Sequence, residues 1–480
     1  MDTSVQVFPT DLVESPVIEL RSRLAGQVIT PSDPQYDQAR QAWNLSVDQR
    51  PALIVVAQSA EDVSQAVRFA RRHGLGIAVQ SGGHGVVRPA NDALLIVTNQ
   101  LRQLRVDPQN QRGWIGAGLK WGMVLEKTQE FGLAPLLGSS PDVGVVGYTL
   151  GGGMGWLARK YGLSADSVIA IELVTAEGEI IQASQKHNRD LFWGLRGGGG
   201  SFGVVTGMEI QLYPVSTVYG GNLVYPAELA QEVITRYRDW IVSVPNDLTS
   251  SFAIMNIPPI PAVPEFLRGK SVVMVRGLYC GPIEQGEALM QTWRDWKTPL
   301  LDDFKAMPFS QVATISNDPE DPSPGLSSGA WLRELSDEAI DTLVRYAVSV
   351  NGSSPLVSTE VRHAGGKIAE VDPQFNAFGN RDARLSLQVV GMTPTAQIHS
   401  QVSRYVAQMK QALGPYLTGG VYINFLEGEE ARQRTADAYL PETYRKLQAL
   451  KAKYDPDNIF HFGFDIPRRA PEPLVADAHI

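Results

Sequence analysis

The chain has 480 residues, enough for two or three domains, each with its own core. A hydrophobic share of 43% and a charged share of 19% are those of a globular protein, and the net charge of -9 leaves no cationic excess for a nucleic-acid partner. Cys280 is the only cysteine, which excludes an internal disulfide, a thiolate metal cluster and a dithiol redox couple, and the seven histidines lack a His-x-x-x-His pair, so no zinc site is expected.

In chain order, Met1-Asp2-Thr3-Ser4 begins neither a basic region nor an apolar run, and no stretch reaches membrane-spanning length, so a cytoplasmic location is expected. Residues 17–24 read as one or two helical turns and 31–38 as a turn region. The apolar run 53–57 predicts a buried strand. Ser59 then caps a helix in which Val63, Ala66, Val67 and Ala70 recur on one face, and Gly74 stands at its C-terminal cap. A short strand, 77–79, runs into Gln80-Ser81-Gly82-Gly83-His84-Gly85. Glycines so close together leave the backbone bare, so its N–H groups can approach a phosphate; a plain tight turn is the alternative. The histidine among them can act as a neutral nucleophile or a donor near neutral pH. Strand, helix, strand and glycine turn form a β-α-β beginning, which predicts a mixed α/β half.

Strands are expected at 94–97, 104–106 and 113–115, and a helix over 121–131 ended by Gly132. The second glycine tract, 138–155, interleaves Val143, Val145, Val146 and Leu150, which predicts ordered backbone wrapped around something flat or charged. Residues 166–184 read as a hairpin turning at Glu177-Gly178, and Asp190 begins a short helix. The third tract, 196–205, feeds a strand in which Met208, Ile210 and Leu212 alternate with Glu209 and Gln211. Tyr213-Pro214 marks a domain boundary. Beyond it, strands (252–255, 271–278, 356–361, 385–390) alternate with helices (228–242, 337–350, 396–413), and 258–264 and 317–325 are loops. This part reads as an α+β domain on a largely antiparallel sheet. Residues 421–425 predict a strand with Tyr422 and Asn424 on one face, followed by a helix over 442–453 and a loose tail from Pro467.

With these tracts in place, the chain resembles the berberine-bridge-enzyme-like branch of the vanillyl-alcohol-oxidase superfamily of flavoproteins. The resemblance is carried by Ser81-Gly82-Gly83-His84, the tract 138–155, Arg159-Lys160-Tyr161-Gly162-Leu163 with Asp166, Asp190-Leu191-Phe192-Trp193, the tract 196–205, Tyr422-x-Asn424 and the run 453–460. No one piece is specific; their joint order is. It implies an α+β protein: a two-part PCMH-type FAD-binding domain, from 1–213 and a C-terminal segment 416–480, around an α+β substrate domain at 214–415.

The resemblance further implies FAD bonded through its 8α carbon to His84. It places Ser81, Gly82, Gly83, His84, Gly85, Leu137, Gly138, Ser139, Ser140, Val143, Gly144, Gly147, Tyr148, Gly152, Gly153, Gly155, Gly203, Val204, Val205, Tyr422 and Asn424 at the cofactor, and Tyr148, Gln388, Tyr422 and Asn424 at the chemistry. The chain departs from the family in several places. Ser140 stands where many members carry a second, cysteinyl link, so a single covalent bond is expected. Tyr148 replaces a common histidine, and its phenol can donate to the N1/C2 edge of the reduced flavin. Met154 replaces a tyrosine found in some members. Phe425 and Gln388 stand where other members place a tyrosine or glutamate base. Either the base is Tyr422, Glu360 or His363, or the reaction needs none, as when a neutral amine delivers hydride directly. Glu360 and Arg362 share a strand face and read first as a structural ion pair. The implied function is an oxidase: hydride passes from an alcohol, sugar or amine C–H to flavin N5, and molecular oxygen becomes hydrogen peroxide. Val143, smaller than the leucine that crowds oxygen, favours that over a dehydrogenase. A nicotinamide-dependent reductase and a non-catalytic flavin carrier are the further alternatives.

Overall fold

Three sheets carry the chain in the computed structural model, which describes residues 15–469 apart from 262 and 351. Most of the tail expected to be loose, and the first four residues, lie outside that range. The first sheet runs Gln27–Ile29, Leu53–Val56, Leu94–Val97, Ile77–Gln80, and its last three strands are parallel. Leu94, Leu95, Ile96 and Val97 are all buried, as a strand covered on both faces must be. The helix Ala60–Arg72 makes the crossover. Its N-terminus is capped by Ser59 Oγ, which accepts from Asp62 N at 3.1 Å, and Val63, Ala66, Val67 and Ala70 form its buried face. The Gly-rich turn therefore leaves the carboxyl end of a parallel strand, where open α/β sheets bind ligands.

The second sheet is antiparallel, in the order Leu104–Asp107, Arg112–Gly116, Val204–Gln211, Val168–Val174, Ile180–Ser184. Its expected hairpin turns at Gly178, whose φ of 79° favours glycine. The third sheet has eight strands, and all its pairings are antiparallel. Its apolar face (Phe252, Ile254, Val273, Val275, Val361, Leu387 and Val389) packs on the helices Ala230–Trp240, Asp337–Ala347 and Ala396–Leu413. Alternation sends Arg276, Glu360, Arg362 and Gln388 to the opposite face. One core joins residues of the first two sheets to Val421, Ile423, Leu447, Leu450 and Phe460 of the C-terminal segment; another lies within 219–413.

Two local expectations are corrected. Residues 421–425 do not form a strand: Phe425 N donates to Tyr422 O at 3.0 Å and Leu426 N to Ile423 O at 3.1 Å, closing a 3-10 turn, Ile423–Phe425. The alternation holds only in part: Val421 and Ile423 enter one core, but Phe425 joins Tyr422 in another, their rings 4.8 Å apart, and the side chains of Tyr422 and Asn424 are tied to the second glycine tract rather than to a sheet neighbour. That tract also contains a short helix, Val145–Leu150, which buries Val145, Val146, Thr149 and Leu150; the flanking glycines masked this signal.

Candidate functional site

A cleft of about 280 Å³ lies where the three glycine tracts converge. Ser81, Gly82, Gly83, His84 and Gly85 line it from the first tract, Val143, Gly144, Gly147 and Tyr148 from the second, and Gly203, Val204 and Val205 from the third. At Gly85 and Gly147 no protein atom lies within 4 Å of the place a Cβ would occupy, so these glycines leave room for something other than protein. The other expected cofactor residues of these tracts stand one layer back. A Cβ at Gly138 would meet the Tyr148 ring at 2.9 Å, at Gly152 the Phe378 ring at 2.5 Å, at Gly153 the Tyr148 ring at 2.6 Å, and at Gly155 the Leu137 carbonyl at 1.7 Å. Their smallness serves protein packing. Ser140 Oγ accepts from Asp142 N at 3.3 Å, and Ser139 Oγ donates to Asp318 at 2.6 Å.

His84 is held from three sides. The carbonyls of Gly82 and Gly83 accept from Trp43 N and Asn44 N at 3.0 and 3.2 Å, pinning the turn. The Trp43 indole stacks on the imidazole at 4.1 Å with planes 17° apart. Nε2 lies 3.2 Å from Asp142 Oδ2, and the other oxygen of Asp142 pairs with Lys120. Burial pushes the imidazole below its ordinary value, with Asp142 opposing, so His84 is neutral at neutral pH.

Tyr148 is half-buried, and its buried phenol oxygen has no partner among the described residues. Burial raises its pKa well above 10, so the group is a proton-bearing donor awaiting an acceptor. Tyr422 is the reverse case. Its hydroxyl accepts from Gly153 N at 3.0 Å, Met154 N at 3.1 Å and Asn424 Nδ2 at 2.9 Å, and Asn424 Nδ2 also donates to Tyr148 O at 2.9 Å. Burial pushes Tyr422 up to about 12. The pair latches the triple glycine in place behind the cleft.

Across from Tyr148, the polar face of the third sheet forms a chain of contacts. Gln388 donates to Ser327 Oγ at 3.1 Å and accepts from Arg362 at 3.3 Å; Arg362 donates to Glu360 at 2.9 Å and lies 5.0 Å over the Phe425 ring. Ser251 Oγ donates to Glu360 at 2.6 Å. Burial alone would raise the Glu360 carboxyl, but Arg362 and Arg276 outweigh it and hold the group below its ordinary value. His363 is 3.0 Å from Arg159, and burial with that cation pushes it down to about 3. Neither is a free base.

The cleft also has walls that sequence reasoning did not assign. Phe460, Phe462, Gly463 and Phe464 close it from the C-terminal segment, which had served as a family marker only. Arg88 is the single Lys or Arg among the lining residues; its buried Nε has no partner among the described residues, while Nη2 lies 3.4 Å from Asp465 Oδ1. A lone arginine three residues past a glycine turn carries no motif.

A cleft at the end of parallel strands, bare of side chains along three tracts and carrying one cation and one orphaned phenol, defines a site for a large phosphate-bearing cofactor. Residues 51–184 match the FAD binding domain family, and residues 421–467 the berberine and berberine-like family. The chain is 29% identical over 464 residues to (R)-6-hydroxynicotine oxidase of Paenarthrobacter nicotinovorans, covering 92% of this chain and 97% of that one. It is 27% identical over 473 residues to chitooligosaccharide oxidase of Gibberella zeae, covering 90% and 92%. The crystal structure of 6-hydroxy-D-nicotine oxidase from Arthrobacter nicotinovorans superposes with a TM-score of 0.82 at 25% identity, over 92% of this chain and 98% of that one. The chain is thus similar over nearly its whole length to berberine-bridge-enzyme-like FAD-linked oxidoreductases and carries the FAD-binding and berberine-like matches of that family.

Proposed function

We propose that the protein is an FAD-dependent oxidase that takes hydride from a small-molecule C–H, with FAD tied to His84 by a single covalent bond and molecular oxygen reduced to hydrogen peroxide. The residues fit the cofactor: Tyr148 offers a donor without an acceptor, Arg88 an unpaired N–H, and Gly85 and Gly147 open space. Bound there, FAD supplies the two-electron acceptor. Arg88 and the bare turn 81–85 would hold its diphosphate, and Tyr148 would donate to the negative charge that develops on it. Ser140, lacking a thiol, cannot form a second, cysteinyl link.

The observation that carries the substrate reading is that none of the candidate bases of the polar face is free. Phe425 has no proton acceptor, Gln388 is an amide, Glu360 is engaged by Arg362 and Ser251, and His363 by Arg159. A neutral amine needs no deprotonation before it gives up hydride, whereas an alcohol does. An amine, as in the hydroxynicotine relative, is therefore the favoured class; a carbohydrate, as in the chitooligosaccharide relative, is the second reading. Acid precipitation of the purified protein should leave the yellow colour in the pellet, and that of His84→Ala should leave it in the supernatant. An aerobic panel read by peroxide should respond to amines. Dye reduction without oxygen, and no peroxide in air, would make the protein a dehydrogenase instead.

A further inference from the structure

The residues around His84 form a built arrangement whose purpose neither cofactor binding nor substrate chemistry explains. Asp142 sits on a loop fixed by three backbone bonds: Gly122 N to Pro141 O at 2.8 Å, Trp121 N to Val143 O at 3.0 Å and Val145 N to Leu119 O at 3.0 Å. The same segment places Lys120 on Asp142 Oδ1, leaving Oδ2 for His84. On the far side Trp43 fixes the ring plane, and its own Nε1 donates to Glu320 O at 3.0 Å. An ionised carboxylate only accepts hydrogen bonds, so the proton of a neutral imidazole facing it must lie on Nε2. The lone pair is then on Nδ1.

We propose that Asp142, held by Lys120, is a positioning residue for formation of the flavin bond: it fixes the Nε2–H tautomer of His84 so that Nδ1 attacks the 8α carbon. The inference rests on the covalent reading above. In the step, the flavin 8-methyl group loses one proton and the Nδ1–C bond forms. Two electrons pass through the ring to dioxygen. Dioxygen leaves as hydrogen peroxide, taking up two protons in all; the second is the Nε2 proton of the imidazolium that the attack creates, a cation that Asp142 stabilises while the bond forms. Each histidine thus consumes one dioxygen and releases one peroxide.

The test uses flavin-free protein mixed with FAD in air, with covalent flavin followed by fluorescence of the denatured chain. The nearly isosteric Asp142→Asn should bind FAD but link it about 10- to 100-fold more slowly, the range expected when a histidine loses its orienting carboxylate; Asp142→Ala should be slower still. The charged groups facing His84 are Asp142 and Lys120, and Asp142 raises the imidazole pKa. Removing it should therefore move the acid limb of the linking rate to lower pH, which a merely structural loss would not do. The digested wild-type flavopeptide, which needs no variant to fold, should carry the flavin on Nδ1. Linkage through Nε2, or Asp142→Asn linking at the wild-type rate, overturns the inference while leaving the covalent bond intact. Wild-type protein that releases all its flavin in acid overturns the covalent reading, and this inference with it.

Discussion

Tyr148 Oη and Arg88 Nε are buried polar atoms without a partner among the described residues, although Arg88 Nη2 lies 3.4 Å from Asp465 Oδ1, and both side chains make predictions at the level of one residue. A buried hydroxyl without a partner costs about 1–3 kcal/mol. Tyr148→Phe should therefore leave the flavin-free protein as stable as wild type or slightly more so, while turnover falls by roughly 100-fold through loss of a donor to developing charge. Melting of the apo-protein and kcat of the loaded enzyme check the two halves; a clear drop in apo melting temperature would show that the phenol has a structural partner after all. Arg88→Met, made in the His84→Ala background so that binding is reversible, should weaken FAD by about 1.5–3 kcal/mol, as for one charge-assisted hydrogen bond, and titration of the apo-protein measures it. His84 was legible because glycine neighbours gave it a context. Arg88 was not, because its role depends on where the chain beyond the turn folds back.

The C-terminal helix Pro441–Tyr454 shows what one element does for the cleft. Lys451 Nζ, almost fully buried, bonds Asp455 Oδ2 at 2.5 Å, Ser201 O at 2.9 Å and Phe460 O at 2.8 Å, while Asp455 accepts from Ile459 N and Phe460 N at 2.9 Å each. The helix end thereby ties the aromatic wall 460–464 to the third glycine tract. Lys451→Met leaves a buried carboxylate unpaired and should cost about 3–5 kcal/mol. Chemical denaturation should show that loss together with poorer flavin loading. Adding Asp455→Asn should recover part of both, and a double variant worse than the single would refute the pairing. The helix itself was legible from its spacing and stop signals. The 3-10 turn at 423–425 was not, because alternation describes which side a residue faces and not whether a strand partner exists.

Glu427 lies where the N-terminal part, the eight-stranded sheet and the C-terminal segment meet, and it accepts from Asn44 Nδ2 at 3.2 Å and Ser327 N at 3.1 Å. Burial pushes its carboxyl from 4.5 up to about 7. The fold thus favours the protonated form. The stability this contributes is full below about pH 4.5 and is lost as pH rises through about 7. Glu427→Gln should remove this fall, so its melting temperature should exceed that of wild type above about pH 7 and match it near about pH 4.5. Parallel melting curves for the two proteins would contradict the assignment.

From residue order alone came the β-α-β entry, the three bare tracts, the histidine and the alternating strands, because backbone bareness and the 2.0 and 3.6 periods are local properties. The folded chain alone decided which glycines face open space and which merely admit Tyr148 or Phe378, since that depends on what packs against each Cα from far along the chain. It also decided that Asp142, 58 positions further along the chain, meets His84, and that the acids and histidine nearest the chemistry are already engaged. Side-chain partnership between distant segments is set by how the sheets pack, and no short window of sequence contains it.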